Sequence, residues 1–119
     1  RVNTFKYLGT TLALAVAPSL VNAENLTHAF GQTDLEPVAC GEKAMSSMEA
    51  AGYESSASEN MSDFDPTQGS GTITVSGSRD DGGLIQIVCR PFESDLVAFI
   101  AYDENASDII REVWDTFYN

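Results

Sequence analysis

Several groups of residues in this chain are of types that could do chemistry, and each lacks something that the chemistry requires. Asp63-Phe64-Asp65-Pro66-Thr67 has the D-x-D-x-T spacing with which a carboxylate nucleophile accepts a phosphoryl group. Such a nucleophile follows a buried apolar strand in a large α/β domain; here the polar run Ser58-Glu59-Asn60-Met61-Ser62 precedes it. The same carboxylates are of the kind that bind Ca²⁺, but the loop lacks the turn glycine and closing glutamate of an EF-hand. Asp80-Asp81 makes a second acidic corner. His28 is the only histidine, and acid–base or nucleophilic work needs a positioned carboxylate or nucleophile beside it. Ser70 and Ser78 lie near glycines, but neither stands in G-x-S-x-G. Gly69-Ser70-Gly71 leads into a strand rather than a helix, so it does not cradle phosphate.

The compartment is set by residues 1–23. A basic start (Arg1, Lys6) runs into the apolar stretch Leu12-Ala13-Leu14-Ala15-Val16-Ala17, and Pro18 ends it. Val21-Asn22-Ala23 then places small residues where a signal peptidase reads, so cleavage is expected between Ala23 and Glu24. The apolar run is too short for a span of about 20 residues. The expected mature protein is therefore exported, to the periplasm or the medium of a bacterium, and is free of the membrane after cleavage. Cys40 and Cys89 are the only cysteines. An even pair in a small exported domain, with no C-x-x-C spacing, is expected to form one structural disulfide.

Charge narrows the partners. From Glu24 onward Lys43, Arg79, Arg90 and Arg111 face all 18 acids, a net charge of −14 over 96 residues. Nucleic acid is excluded as a partner, because binding it means neutralising phosphates with Lys and Arg. Anionic membrane surfaces are disfavoured for the same reason. Such acidity serves solubility or a saline habitat, or attracts a cationic protein.

The elements that must hold these residues follow from periodicity. Leu26, His28 and Phe30 alternate as in a short strand. Thr33-Asp34-Leu35-Glu36 has the pattern of a capping box, and Cys40, Ala44, Met48 and Ala51 share one helical face, predicting a helix from about Leu35 to Ala51. Residues 54–71 are polar and Ser-rich and read as a mobile loop, the first place to seek a binding element. Three strands are expected around 72–76, 84–90 and 96–102, joined by turns, the last of them apolar on both faces and so covered on both sides or central. A helix follows, capped by Asn105 or Ser107, with Ile109, Val113 and Phe117 inward and Arg111 able to pair with Asp115. Phe99 and Trp114 fall at core positions, leaving Tyr53, Phe64 and Phe92 as loop aromatics for a contact surface.

The expected fold is a single α+β domain over 24–119. It is an antiparallel meander of three to four strands with two helices on one face, in the order (β)-α-β-β-β-α. The disulfide would staple the first helix to the second meander strand. The expected function is non-enzymatic: a binding module, in its concrete form an inhibitor or partner of a cationic extracytoplasmic protein, with Asp63, Phe64, Asp65, Asp80 and Asp81 on the contacting loops. No cofactor or metal is implied. Two other classes fit the same chain. One is an oligomer subunit that completes the burial of Leu96–Tyr102, and the other is a small hydrolase or metal-binding protein that gathers His28 or two loop acids in a cleft.

Overall fold

A computed structural model describes residues 26–67, 71–91 and 94–119. The expected leader, 1–23, and Phe92 lie outside the described residues. Five strands form one antiparallel sheet: β1 (Leu26–Gln32), β2 (Glu54–Ala57), β3 (Ile73–Ser78), β4 (Leu84–Cys89) and β5 (Leu96–Tyr102). Across the sheet they run β1-β5-β4-β3-β2. Helix α1 (Pro37–Ala50) connects β1 to β2, and α2 (Ala106–Phe117) follows β5. Because β1 and β2 are the two edges, α1 crosses from one side of the sheet to the other. Strands β3, β4 and β5 form the expected meander, and both helices lie on one face.

The strand count corrects the sequence reading, since the sheet has five strands where three or four were expected. The fifth is β2, Glu-Ser-Ser-Ala, which pairs with β3 from Glu54↔Ser78 to Ala57↔Val75. It occupies the start of the segment read as loop 54–71. Periodicity misses it because a four-residue edge strand contributes only the half-buried Ser55 and Ala57 to the inner layer. A further 3₁₀ turn at Met61–Asp63 packs Met61 and Phe64 against the core.

Helix α1 starts at Pro37, whose fixed φ suits the first turn. The capping box does not form as drawn: Thr33 Oγ1 accepts from the Leu35 amide at 3.1 Å, and Glu36 is the N-cap without a side-chain bond. Cys40, Gly41, Ala44, Ser47 and Met48 are its buried face. In α2, Ile109, Val113 and Phe117 point inward as expected, but Arg111 pairs with Asp108 at 3.2 Å rather than with Asp115. The core joins this face of α2 to the inner sides of β3, β4 and β5, with Phe99 fully buried at its centre. Phe99 lies 5.0 Å from Trp114 and 5.5 Å from Phe117 between ring centroids.

The disulfide links Cys40 of α1 to Cys89 of β4, with Cα atoms 5.9 Å apart, so it ties the helix layer to the sheet as expected. It closes a 49-residue separation, a constraint worth about 4 kcal/mol of denatured-state entropy. Replacing both cysteines by alanine should therefore lower unfolding stability by about 3 to 4 kcal/mol, read from urea transitions of the oxidised chain and the double variant. A loss below about 1 kcal/mol would show that the denatured chain does not feel the constraint.

Candidate functional site

Two helices cover only one face of five strands, so the other face is open among the described residues, and its composition is uneven. The strand register places Leu26, His28, Phe30 and Gln32 of β1 beside Tyr102, Ile100, Ala98 and Leu96 of β5 on that face. The next strand adds Leu84, Gln86 and Val88 of β4 in the same rows. Beyond β4 the face becomes polar, with Thr74, Ser76 and Ser78 on β3 and Ser56 and Glu54 on β2. The β1–β5–β4 half is thus mainly apolar, with His28, Gln32 and Gln86 as its polar residues, and carries no acid in a chain with 18 of them. Four of its large side chains stand well into solvent: Leu26 at 44% exposure, Phe30 at 53%, Leu84 at 48% and Tyr102 at 48%.

The orientation of β1 creates much of this surface. Its larger residues alternate with Thr27, Ala29 and Gly31, and the small residues face the helices. Trp114 and Tyr118 of the α2 end fill the space beneath them. A Cβ on Gly31 would collide with the Tyr118 hydroxyl and approach Trp114 to 2.8 Å. Tyr118 Oη instead donates to the Gln32 carbonyl at 2.8 Å. No side chain fits at Gly31, and the alternation that turns Gly31 inward turns Leu26 and Phe30 outward. His28 shares this outer row, with Ile100 opposite it and the Phe30 ring edge-on at 5.9 Å.

The loop acids fall elsewhere and are divided. Asp63 and Asp65 lie in the loop that precedes β3, whereas Asp80 and Asp81 lie in the turn after it. The two pairs are separated along the chain by β3, a strand of six residues that is itself about 20 Å long. Asp63 accepts from Asn60 Nδ2 at 3.0 Å, and Asp65 accepts from the Thr67 amide and hydroxyl at 2.9 and 2.7 Å. Asp81 accepts from the Gly83 amide at 3.0 Å and pairs with Arg79 at 3.1 Å. Gly82 in this turn has φ +93°, a conformation that favours glycine. Phe64 is half-buried against the core, and Asp80 is exposed.

Tyr53, expected on a loop, is instead 3% exposed in the core. The Arg79 guanidinium stacks over its ring at 4.5 Å, donates to the Ala51 carbonyl at 3.2 Å and also reaches Glu112 at 3.5 Å. The Tyr53 hydroxyl is buried without a hydrogen-bond partner among the described residues, and burial raises its pKa. The aromatics that do reach solvent on the open face are Phe30 and Tyr102. Their signal in the sequence was the β1 alternation together with the two-sided apolar run of β5.

Among the described residues, two of the open depressions lie on the helix side. One, of about 510 Å³, has Asp34, Lys43, Asp95 and Phe117 in its wall, with Lys43 Nζ 5.2 Å from the Phe117 ring centre. The other, of about 420 Å³, lies beside Arg79, Asp108 and Glu112. Among the described residues no cluster of three or more His, Cys, Asp or Glu side chains could hold a metal, and no helix is long and apolar enough to cross a membrane.

Two outcomes test these local assignments. The Asp65 carboxyl is held below its ordinary range first by the Thr67 hydroxyl bond, and Asp81 first by the Gly83 amide and then by Arg79. A depressed folded pKa contributes stability above the unfolded value, about 3.9, and that contribution is lost as pH falls through the folded value. Asp65→Ala and Asp81→Ala should thus be less stable than the parent near neutral pH. The gap should shrink below about pH 4 in urea titrations; a gap independent of pH would show that the charge is not involved. Tyr53→Phe should keep or raise stability, because it removes a buried hydroxyl that has no partner. A loss above about 1 kcal/mol would reveal a bond from that hydroxyl to water.

No protein-family model matches the chain, and neither the curated proteins nor the solved structures yield a match.

Proposed function

We propose that this chain is an exported, non-catalytic interaction module that docks through the apolar half of its open sheet face. The single observation that carries this reading is the acid-free β1–β5–β4 surface, from which Leu26, Phe30, Leu84 and Tyr102 project. Monomeric soluble proteins seldom leave more than a few hundred Å² of contiguous apolar surface in water, and larger patches mark contact sites. An apolar centre inside a polar and charged surround is also the usual anatomy of a protein interface. Export is supported by the leader-like residues 1–23 and is compatible with the disulfide.

The acids at the two ends of β3 set long-range repulsion or attraction, but they are separated and partly occupied within their own turns. They are therefore a weak seat for a single partner. The alternatives differ in their salt response. A complex seated on the acids weakens sharply with salt, while one seated on the apolar face does not.

Site-specific photo-crosslinking in the native host separates these possibilities. With p-benzoylphenylalanine in place of Phe30 or Tyr102, irradiation should give discrete protein adducts. The same analogue in place of Asp63 or Asp80 should give few. Adducts confined to the acidic turns would overturn the reading.

A further inference from the structure

Resting on that docking face, we infer that its occupant is a second copy of this chain, packed face to face as a two-layer sandwich of sheets. Three observations favour a copy over another partner. The first is charge. The helices and turns carry acids on every other side, including Glu42 and Glu49 on α1 and Asp108, Glu112 and Asp115 on α2. Two strongly acidic chains can approach closely only where neither presents a carboxylate, and the β1–β5–β4 half-face is that region. A cationic partner, by contrast, would be drawn to the acidic sides and away from it.

The second observation is shape. The face is one side of a regular antiparallel ladder, without a bulge in the β1–β5 or β4–β5 register. The natural cover for such a surface is another sheet about 10 Å away. A twofold axis makes the contact isologous, the commonest form of association for soluble chains. Relief within the face is self-complementary in kind: Phe30 stands proud while Ala98, opposite it in the β1–β5 register, is nearly covered.

The third observation is area. Half-exposed side chains of the Phe and Tyr class each present on the order of 100 Å². The four half-exposed large side chains then offer about 400 Å² per copy, about 800 Å² in total, in the size range of weak and transient interfaces. A reversible dimer in the micromolar range is the expected result, not a permanent one.

Sedimentation velocity on the chain from Glu24, which contains every described element, tests the inference between about 1 and 500 μM. The monomer–dimer equilibrium should move toward dimer as salt rises to about 0.5 M, because screening relieves repulsion between like-charged copies. Phe30→Ser and Leu84→Ser add no charge and alter exposed side chains. Each should weaken dimerisation by about tenfold or more, with the circular dichroism spectrum unchanged. Asp63→Asn should leave the dimer intact. A monomer across the whole range at high salt would overturn the inference, as would a dimer indifferent to both serine substitutions. Photo-adducts from position 30 that contain only a different protein would also overturn it, while leaving the docking face itself supported.

Discussion

The rest of the structure depends on one shortage: among the described residues two helices must cover a five-stranded sheet, and they suffice for a single face. Helix α1 spans from the β1 edge to the β2 edge and packs on β2, β3 and β4. Helix α2 takes β5 and β1. The apolar residues of the inner layer, from Ile73 to Phe99, are thereby removed from water. Nothing among the described residues remains for the outer layer, where β5 still carries Leu96, Ile100 and Tyr102. A sheet that were merely solvated on that side would show polar residues there, as β3 does with Thr74, Ser76 and Ser78. The change from hydroxyls on β3 to aliphatic and aromatic side chains on β4, β5 and β1 divides the face into two halves of different polarity.

The acids have a different logic. Those in turns act on their own neighbours: Asp81 closes the β3–β4 hairpin through Gly83 and Arg79, and Asp65 orders Thr67. The Arg79 side chain in turn lies over Tyr53 and reaches across to α2 through Glu112, so one cation joins the hairpin, the core aromatic and the second helix. Such exposed pairs contribute little energy singly. Their effect is positional, because they fix the hairpin end of the sheet while the strands supply the stability.

Much of this was legible in the residues themselves. The 3.6-residue spacing of Cys40, Ala44 and Met48 found α1, the alternation in β3 and β4 found the meander, and the two cysteines on inward faces found the bridge between layers. The segments that escaped did so for identifiable reasons. Ser-rich β2 has no hydrophobic alternation because an edge strand buries little. Tyr53 follows Gly52 at the end of α1, where sequence shows a chain reversal but not that the ring turns under Arg79. In β1 the alternation was visible while its direction was not. Leu26 and Phe30 face outward because of Trp114 and Tyr118, more than 80 residues later, and no local pattern contains that information. The open face was legible in part: the two-sided apolar run of β5 called for further cover, whereas its pairing with β1, which brings Leu26 and Phe30 beside it, was not visible in any local pattern.

The covalent link also redraws the chain's connectivity. Seating β1 against β5 brings Leu26 to Tyr102, 76 positions away along the backbone. Through the bond between Cys40 and Cys89 the same two residues are joined by two short arms, 14 positions from Leu26 and 13 to Tyr102. On a logarithmic closure law this shortcut lowers the entropic cost of docking the first strand by about 1 kcal/mol. It also reduces the effective contact order of the most distant pairing in the sheet, the kind of pairing that slows folding. The strand that forms one side of the exposed face is thus the element whose arrival depends most on whether the Cys40–Cys89 bond has already formed.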